Sequence, residues 1–331
     1  MTWIQSILLG LLQGLTEFLP VSSTAHMDIA GRLMLGHDVG AAFSAVVQLG
    51  PMFAVLFYFR KDLVRYVHGV LRTRSPRNIP EGDLDARLGW YVIIGFIPLA
   101  VLGLLLEKKI DTSFRRLDVV AAAEIILALI LLGAELQGKR NRGLADINMT
   151  DTMVIGWAQV LALVPGTSRS GVTITAGLFR NIDREDATRF SFLLSIPVIV
   201  GAGLYKLLKL LFYFVKPSHF TPDQVWNMHP WVGKLGMQDV EKFLLATIVA
   251  GFLAYVIIVW FMHYMENHST YLFIGYRILI GIVVIILLHN HDIANQQMPA
   301  PTSQVTPASQ QSRVILQHSP GLKLESRILV K

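Results

Sequence analysis

Long apolar runs separated by short polar connections dominate this sequence. A helix needs about 20 mostly apolar residues to cross a bilayer, and six runs approach or exceed that length. These runs cover residues 41–59, 88–106, 118–136, 187–214, 243–265 and 271–289. We therefore predict six transmembrane helices and an all-α polytopic membrane protein.

Two further apolar stretches, residues 2–35 and 153–180, are interrupted by residues that break helices. Pro20 and the run SSTAH divide the first stretch, and Pro165 and the run GTSRSG divide the second. Proline cannot continue a helix, and non-helical backbone at bilayer depth is tolerated only inside protein or beside a cavity. We predict that each stretch is a re-entrant helix pair that enters the membrane, turns and leaves on the same side.

The two interrupted stretches resemble each other. The motif Gly10-x-x-Gln13 precedes the run PVSS, and Gly156-x-x-Gln159 precedes the run PGTS, with the prolines out of register by one residue. Three predicted spans follow each stretch, so the second copy must begin on the opposite face of the membrane. This organisation predicts an inverted-topology repeat with a site where the two repeats meet.

The repeats are expected at residues 1–137 and 153–289, within a single membrane domain of residues 1–289. The remainder, 290–331, is rich in Gln, Pro, Ser and Thr, which predicts a disordered tail. Lys and Arg concentrate in the loop 60–87, which places that loop in the cytoplasm and both termini outside. The turn of the first pair would then open to the outer side.

Composition agrees with this fold class. The 331 residues are 53% hydrophobic and only 16% charged, and the mean hydropathy is +0.51. The formal net charge of +6 is explained better by basic cytoplasmic loops than by nucleic-acid binding. The sequence contains no cysteine, which excludes disulfides, thiolate catalysis and cysteine metal sites.

Gln13 and Glu17 are four residues apart, so on a helix they share one face. A carboxylate at this depth is expensive and is a functional candidate, either as a general base or as a ligand of a divalent cation. Gln13 would orient it or be a second metal ligand. The alternative is a polar pair that only joins helices by hydrogen bonds.

Four polar residues follow Pro20, where a second half-helix is expected to begin: Ser22, Ser23, Thr24 and His26. Hydroxyl residues at such a position are common helix caps. Three hydroxyls and a histidine exceed what capping needs, so we also consider them for substrate binding, with Ser23 and His26 as candidate nucleophiles or proton donors.

Arg169 lies in the middle of an apolar stretch, with no acidic residue close in sequence. Its guanidinium is a rigid fork that suits phosphate oxygens, and the N-terminus of a half-helix adds positive partial charge. The alternative is an ion pair between Arg169 and Glu17 across the repeats. Further candidate binding residues are Ser168, Ser170, Thr173 and, from another predicted span, Gln48. Glu124 and Glu135 lie within a predicted span, and nothing in the sequence pairs them to the site.

The segments QGLTEFLPVSSTAH and PGTSRSGVT together resemble the undecaprenyl-diphosphate phosphatase family, also called bacitracin-resistance proteins. The resemblance covers about residues 1–289. It implies an enzyme of the bacterial plasma membrane that removes the terminal phosphate from a C55 polyprenyl diphosphate and so recycles the lipid carrier of cell-wall synthesis. It further implies a fold similar to inverted-repeat transporters and a divalent cation, Mg²⁺ or Ca²⁺, as cofactor.

By this resemblance, Gln13 and Glu17 fill the family's E/Q-x-x-x-E motif, and Ser23 and His26 match its serine and histidine. The phosphate-binding motif PGxSRSxxT is filled by Ser168, Arg169, Ser170 and Thr173. The sequence departs from the family at Ala25, where a glycine is usual, and takes the uncharged option at Gln13.

We therefore expect Glu17, Ser23, His26 and Arg169 to be catalytic. The nucleophile is left open among Ser23, His26 and water. The expected partners are a polyprenyl diphosphate and membrane lipid, without nucleic acid, and a homodimer is left open. Two other functions remain: a transporter or flippase of an anionic substrate, for which inverted repeats are common, and a channel or scaffold with a structural polar core.

Overall fold

The computed structural model describes residues 1–36, 39, 41–113, 117–215 and 237–289. This part of the chain contains α-helices, short 3-10 turns and no strand. In chain order the helices are α1 Trp3–Thr16, α2 Ser23–Leu35, α3 Ala41–Val47, α4 Leu49–Tyr58, α5 Arg60–Thr73, α6 Leu84–Ser113, α7 Leu117–Gln137, α8 Met149–Gln159, α9 Arg169–Phe179, α10 Arg184–Val215, α11 Met237–Asn267 and α12 Tyr271–His289. The predicted tail, 290–331, and most of the loop before α11 lie outside the described residues.

Five helices are long and apolar enough to cross a membrane, so the chain is a multi-pass membrane protein. They are α6, α7, α10, α11 and α12, and they confirm five of the predicted spans. The sixth predicted span, residues 41–59, is not one continuous helix. The chain divides there into α3 and α4, with Gln48 between them. Pro51 explains the division, because its ring clashes with the carbonyl four residues earlier, at Val47, where α3 ends.

Both interrupted stretches form the expected helix–turn–helix pairs. α1 and α2 run antiparallel, since the Gln5 amide near the start of α1 donates to the Met34 carbonyl near the end of α2, at 2.9 Å. α8 and α9 are joined in the same way. Arg180, just after α9, donates to Asp151 in the first turn of α8 at 2.6 Å. Each pair therefore returns to the end at which it started.

The two turns correspond more closely than the sequence suggested. Ser22 and Ser168 both adopt a positive φ, 63° and 62°, and each side chain caps the helix that follows. These residues stand at equal distances after Gly10 and Gly156. The one-residue shift predicted from the prolines is therefore wrong, because the equivalent positions are the two serine caps and not the prolines.

The two halves pack against each other reciprocally. α1 packs on α11 and α8 packs on α6, while α4 contacts α11, α10 contacts α6, and α7 pairs with α12. Close approaches occur at small residues: a Cβ on Gly10 would lie 2.6 Å from the Ala246 carbonyl oxygen, and one on Gly156 would lie 2.5 Å from that of Gly95. Small residues allow such backbone contact between membrane helices. α10 is the most central span, with 65% of its apolar window buried against 28–39% in the other four.

Buried acids near the start of α10 are neutralised by arginines. Glu135 accepts from Arg184 and, at 2.9 Å, from the Thr270 hydroxyl. Asp62 accepts from Arg189 at 2.6 Å. Glu135 is thus paired with residues outside the predicted site, as the sequence suggested. These ion pairs connect α5, α7 and α10 at one end of the protein.

Candidate active site

Glu17 lies at the meeting point of the two turns. Its Oε1 accepts from the Arg169 guanidinium at 2.7 Å, and its Oε2 accepts from the Gln13 amide at 2.9 Å and from the Ser23 hydroxyl at 2.8 Å. The Glu17 side chain is 4% exposed and that of Arg169 is 14% exposed. One buried carboxylate thus connects four of the residues that the sequence predicted for the site.

Ser23 and Arg169 are the first residues of α2 and α9, immediately after the equivalent caps Ser22 and Ser168. The N-termini of both half-helices therefore point towards Glu17. The first N–H groups of a helix have no intrahelical acceptor, and the helix dipole makes this end positive. Two such ends and a guanidinium around one point form an environment that favours an anion such as a phosphate.

The remaining hydroxyls of the second turn connect the two turns. Ser170 donates to the Leu19 carbonyl at 3.0 Å, and Ser168 reaches the same oxygen at 3.4 Å. Thr173 is 1% exposed and bonds to the Arg169 carbonyl at 2.8 Å and the Ser191 hydroxyl at 2.5 Å. In the structure each of these hydroxyls is hydrogen-bonded to another group of the protein.

Three other predicted residues make no hydrogen bond to Glu17 in the structure. Ser22 caps the Ala25 amide at 3.4 Å, and Ala25 is buried in the first turn of α2, so its Cβ is accommodated. Thr24 is exposed. Gln48 is half-buried between α3 and α4, and within the described residues its side chain makes no hydrogen bond to the site.

His26 is buried and held at both ring nitrogens. Nδ1 lies 2.8 Å from the Ser22 carbonyl and Nε2 lies 2.6 Å from the Tyr276 hydroxyl. A carbonyl only accepts, so Nδ1 carries the proton and donates. The rings of His26 and Tyr276 are parallel within 7°, with centroids 5.6 Å apart. Tyr276 is therefore a neighbour of the site that the motif-based assignment did not include.

Arg277 is the second residue that the sequence reasoning missed. It is 1% exposed, and its guanidinium donates to the Gly166 and Thr167 carbonyls at 3.0 Å and to that of Pro20 at 3.4 Å. It also forms an ion pair with Glu124 at 2.8 Å. Glu124, which the sequence did not pair with the site, thus joins it through Arg277. An arginine inside an apolar span was itself the signal that could have identified it.

The side chains around Glu17 suit a divalent cation only if a bound substrate supplies further ligands. Mg²⁺ and Ca²⁺ prefer oxygen ligands, and Mg²⁺ is often held by one or two carboxylates together with the phosphates of a substrate. Within the described residues, no group of three His, Asp or Glu side chains could form a metal cage. Glu17, the Gln13 amide oxygen and the Ser23 hydroxyl fit a cation shared with a bound diphosphate.

Comparison with known proteins identifies the family. Residues 6–283 match the family model described as bacitracin resistance protein BacA. The chain is similar to the undecaprenyl-diphosphatase of Mycolicibacterium smegmatis, with 42% identity over 89% of this chain and 100% of that protein. It is 44% identical to the undecaprenyl-diphosphatase of Myxococcus xanthus over 87% of this chain and 90% of that protein. The chain therefore belongs to the bacitracin resistance protein BacA family.

Proposed function

We propose that this chain is a membrane phosphatase that hydrolyses undecaprenyl diphosphate, a C55 polyprenyl diphosphate, to the monophosphate and inorganic phosphate. Relatives that cover most of the chain are named for this activity. The observation that carries the reaction is the position of Glu17 between the Ser23 hydroxyl and the Arg169 guanidinium. The product is the lipid carrier that cell-wall synthesis uses again.

Substrate binding replaces contacts already present in the site. The terminal phosphate offers oxygens that compete with Glu17 for the Arg169 guanidinium, whose planar fork binds two of them at once. The N-terminal amides of α2 and α9 stabilise the same negative charge. Release of Arg169 then frees Oε1 of Glu17, while Oε2 still faces Ser23.

Ser23 is the nucleophile that the geometry favours. Its Oγ attacks the terminal phosphorus and its proton passes to Glu17. The bond to the bridging oxygen breaks, and undecaprenyl monophosphate leaves with the proton that Glu17 had taken. Water, deprotonated by the Glu17 carboxylate, then attacks the phosphoserine; the Ser23 oxygen leaves, takes the proton back from Glu17, and inorganic phosphate is released. Positioning and charge stabilisation account for most of the rate in such transfers.

A divalent cation, Mg²⁺ or Ca²⁺, would be held by Glu17 and Gln13 together with the diphosphate. When bound, it would neutralise charge on the phosphate oxygens. The Gln13 amide, which donates to Glu17 at 2.9 Å, orients the carboxylate in either case.

The architecture proposed for this enzyme is an inverted repeat in the bacterial plasma membrane. The reciprocal packing of α1 on α11 and of α8 on α6 supports it, as do the two helix pairs with equivalent serine caps. The basic loop 60–87 supports a cytoplasmic position for α5 and an active site that opens to the outer side. The C55 chain would remain in the lipid between helices while the diphosphate enters the site.

Release of inorganic phosphate from undecaprenyl diphosphate by the detergent-purified protein, with Mg²⁺ or Ca²⁺ present, tests this function. We expect Glu17→Gln and Arg169→Ala to lower kcat by about 10²–10³, the usual effect of removing one group that stabilises the transition state. Ser195→Ala is the matched control, since among the described residues that hydroxyl bonds only to the Phe192 carbonyl. Near-full activity of Arg169→Ala would refute the site. A wild-type protein that moves the lipid across a vesicle bilayer without releasing phosphate would instead be a flippase.

A second experiment identifies the nucleophile. The enzyme is incubated with substrate labelled at the terminal phosphate, quenched, and digested for peptide analysis. We expect label on Ser23 in the wild-type protein and none in Ser23→Ala. Label on His26 would contradict the assignment, and full turnover without any labelled peptide would indicate direct attack by water.

A further inference from the structure

Tyr276 in α12 contacts the site through a single polar atom. Its hydroxyl lies 2.6 Å from Nε2 of His26, while the other ring nitrogen is taken by the Ser22 carbonyl at 2.8 Å. The carbonyl requires a proton on Nδ1. In the neutral ring Nε2 therefore carries the lone pair, and the tyrosine hydroxyl is its donor.

The neighbouring residue explains why this contact is held in place. Arg277 is anchored to the carbonyls of Pro20, Gly166 and Thr167, so this part of α12 is attached to both turns. Tyr276 and Arg277 thus fix α12 against the first turn of α2 on one side and against the entry of α9 on the other. His26 follows Ser23 by three residues and lies on a nearby face of α2.

We propose that Tyr276 is a positioning residue of the phosphatase: its hydroxyl donates to Nε2 of His26 and, together with the Ser22 carbonyl at Nδ1, fixes the ring with Nε2 turned towards α12. The kinetic consequence rests on the proposed function, whereas the ring geometry can be tested without it. Substrate entering the site would meet a histidine whose orientation is already set at both ring nitrogens. Without the Tyr276 hydroxyl the ring would be held at Nδ1 alone, and Nε2 would lose its donor.

Tyr276→Phe tests the proposal because it keeps the aromatic ring and removes only the hydroxyl. Two quantities are measured on the purified protein: kcat and KM for undecaprenyl diphosphate, and the ¹⁵N chemical shifts of the His26 ring in histidine-labelled protein. The His26→Gln variant assigns the signals. We expect kcat to fall roughly tenfold with KM nearly unchanged, because a buried acceptor loses its donor. We also expect the ¹⁵N signal of Nε2 to shift, because this nitrogen loses its hydrogen-bond donor.

Tyr264→Phe is the matched control. The Tyr264 hydroxyl donates to the Ser269 carbonyl at 3.2 Å, and its ring stacks on His268 at 4.5 Å. This is also a tyrosine beside a histidine, but it lies near the end of α11 and does not contact the site. We expect its kcat and the His26 signals to equal those of the wild type.

A double-mutant cycle separates positioning from general packing. If Tyr276 acts through His26, Tyr276→Phe should cause no further loss of kcat in a His26→Gln background. Full additivity would overturn the proposal, as would a raised KM with unchanged kcat or an unaltered His26 spectrum. Absence of phosphate release by the wild type would refute the proposed function, while the spectra would still decide the role of Tyr276.

Discussion

The buried ion pair between Arg277 and Glu124 leads to a prediction about the free energy of unfolding. The two side chains are each 1% exposed and lie 2.8 Å apart, on α12 and α7. Arg277 also binds three backbone carbonyls, whereas Glu124 contacts Arg277 as an ion pair and neither of its carboxylate oxygens has a hydrogen bond among the described residues. The pair is therefore asymmetric, and its two members should not be equally important.

The expected losses in the free energy of unfolding follow from these contacts. Arg277→Met leaves a carboxylate buried alone, which costs about 3–5 kcal/mol. Glu124→Gln removes one charge but leaves the guanidinium with its three carbonyls, so a smaller loss of about 1–3 kcal/mol is expected. In the double variant Glu124→Leu with Arg277→Met no charge is left unpaired. The three carbonyl bonds are lost, but Arg277→Met alone loses them as well, so they do not affect the comparison.

The prediction that tests this reasoning is the order of stability of the variants. The double variant should be at least as stable as Arg277→Met alone, although it carries one more substitution. Thermal unfolding in detergent can be followed by the fluorescence of the six tryptophans, which suits a chain without cysteine for thiol dyes. If the losses caused by the two single substitutions simply add in the double variant, the Glu124 carboxylate does not depend on Arg277 for charge compensation. The assignment of Arg277 as its charge partner would then be refuted.

Two other predictions concern residues outside the proposed chemistry. Gln159 is fully buried, and both atoms of its amide lack a hydrogen-bond partner among the described residues. Gln159→Met should therefore stabilise the protein by about 1–2 kcal/mol without loss of phosphatase activity, and a lower Tm would contradict this. Asp151 lies in the first turn of α8, outside the five long spans. Burial raises its pKa, but hydrogen bonds from Arg142, Asn148 and Arg180 outweigh burial and hold the pKa below the ordinary value of 3.8. The stability it provides is thus complete above about pH 5 and is lost as the pH falls through 3.8 and below. Measured in detergent between pH 3 and 7, the Tm of Asp151→Asn should be lower than that of the wild type at neutral pH and should fall less on acidification. Parallel curves would refute the role of Asp151.

The sequence predicted features that depend on local rules. The apolar length of a span, the helix break at Pro20 and the expense of a carboxylate at Glu17 are all properties of a short segment. The alternative weighed for Arg169, an ion pair with Glu17, is also found, at 2.7 Å. It was predictable because a buried charge needs a partner and the two repeats were expected to meet.

What the sequence missed depends on contacts between distant segments. Arg277 and Glu124 are more than a hundred residues apart, and nothing local indicates that α7 and α12 are neighbours. Tyr276 could not be assigned to His26 for the same reason. The division of the predicted span 41–59 was a local error, since Pro51 already marked the break four residues after Val47.

The equivalence of the two turns also explains why the site has one carboxylate and one guanidinium instead of two copies of each. Gln13 and Gln159 occupy matching places, but four residues after them stand Glu17 in one repeat and Leu163 in the other. The Gln13 amide therefore has a carboxylate to bind, and the Gln159 amide has none. Ser23 and Arg169 also occupy equivalent positions, so a hydroxyl residue begins one half-helix and a cationic residue begins the other. Both differences meet at Glu17, whose carboxylate binds the Ser23 hydroxyl and the Arg169 guanidinium. The amide of Gln159 is left without a hydrogen bond among the described residues because Leu163 stands where the first helix pair has Glu17.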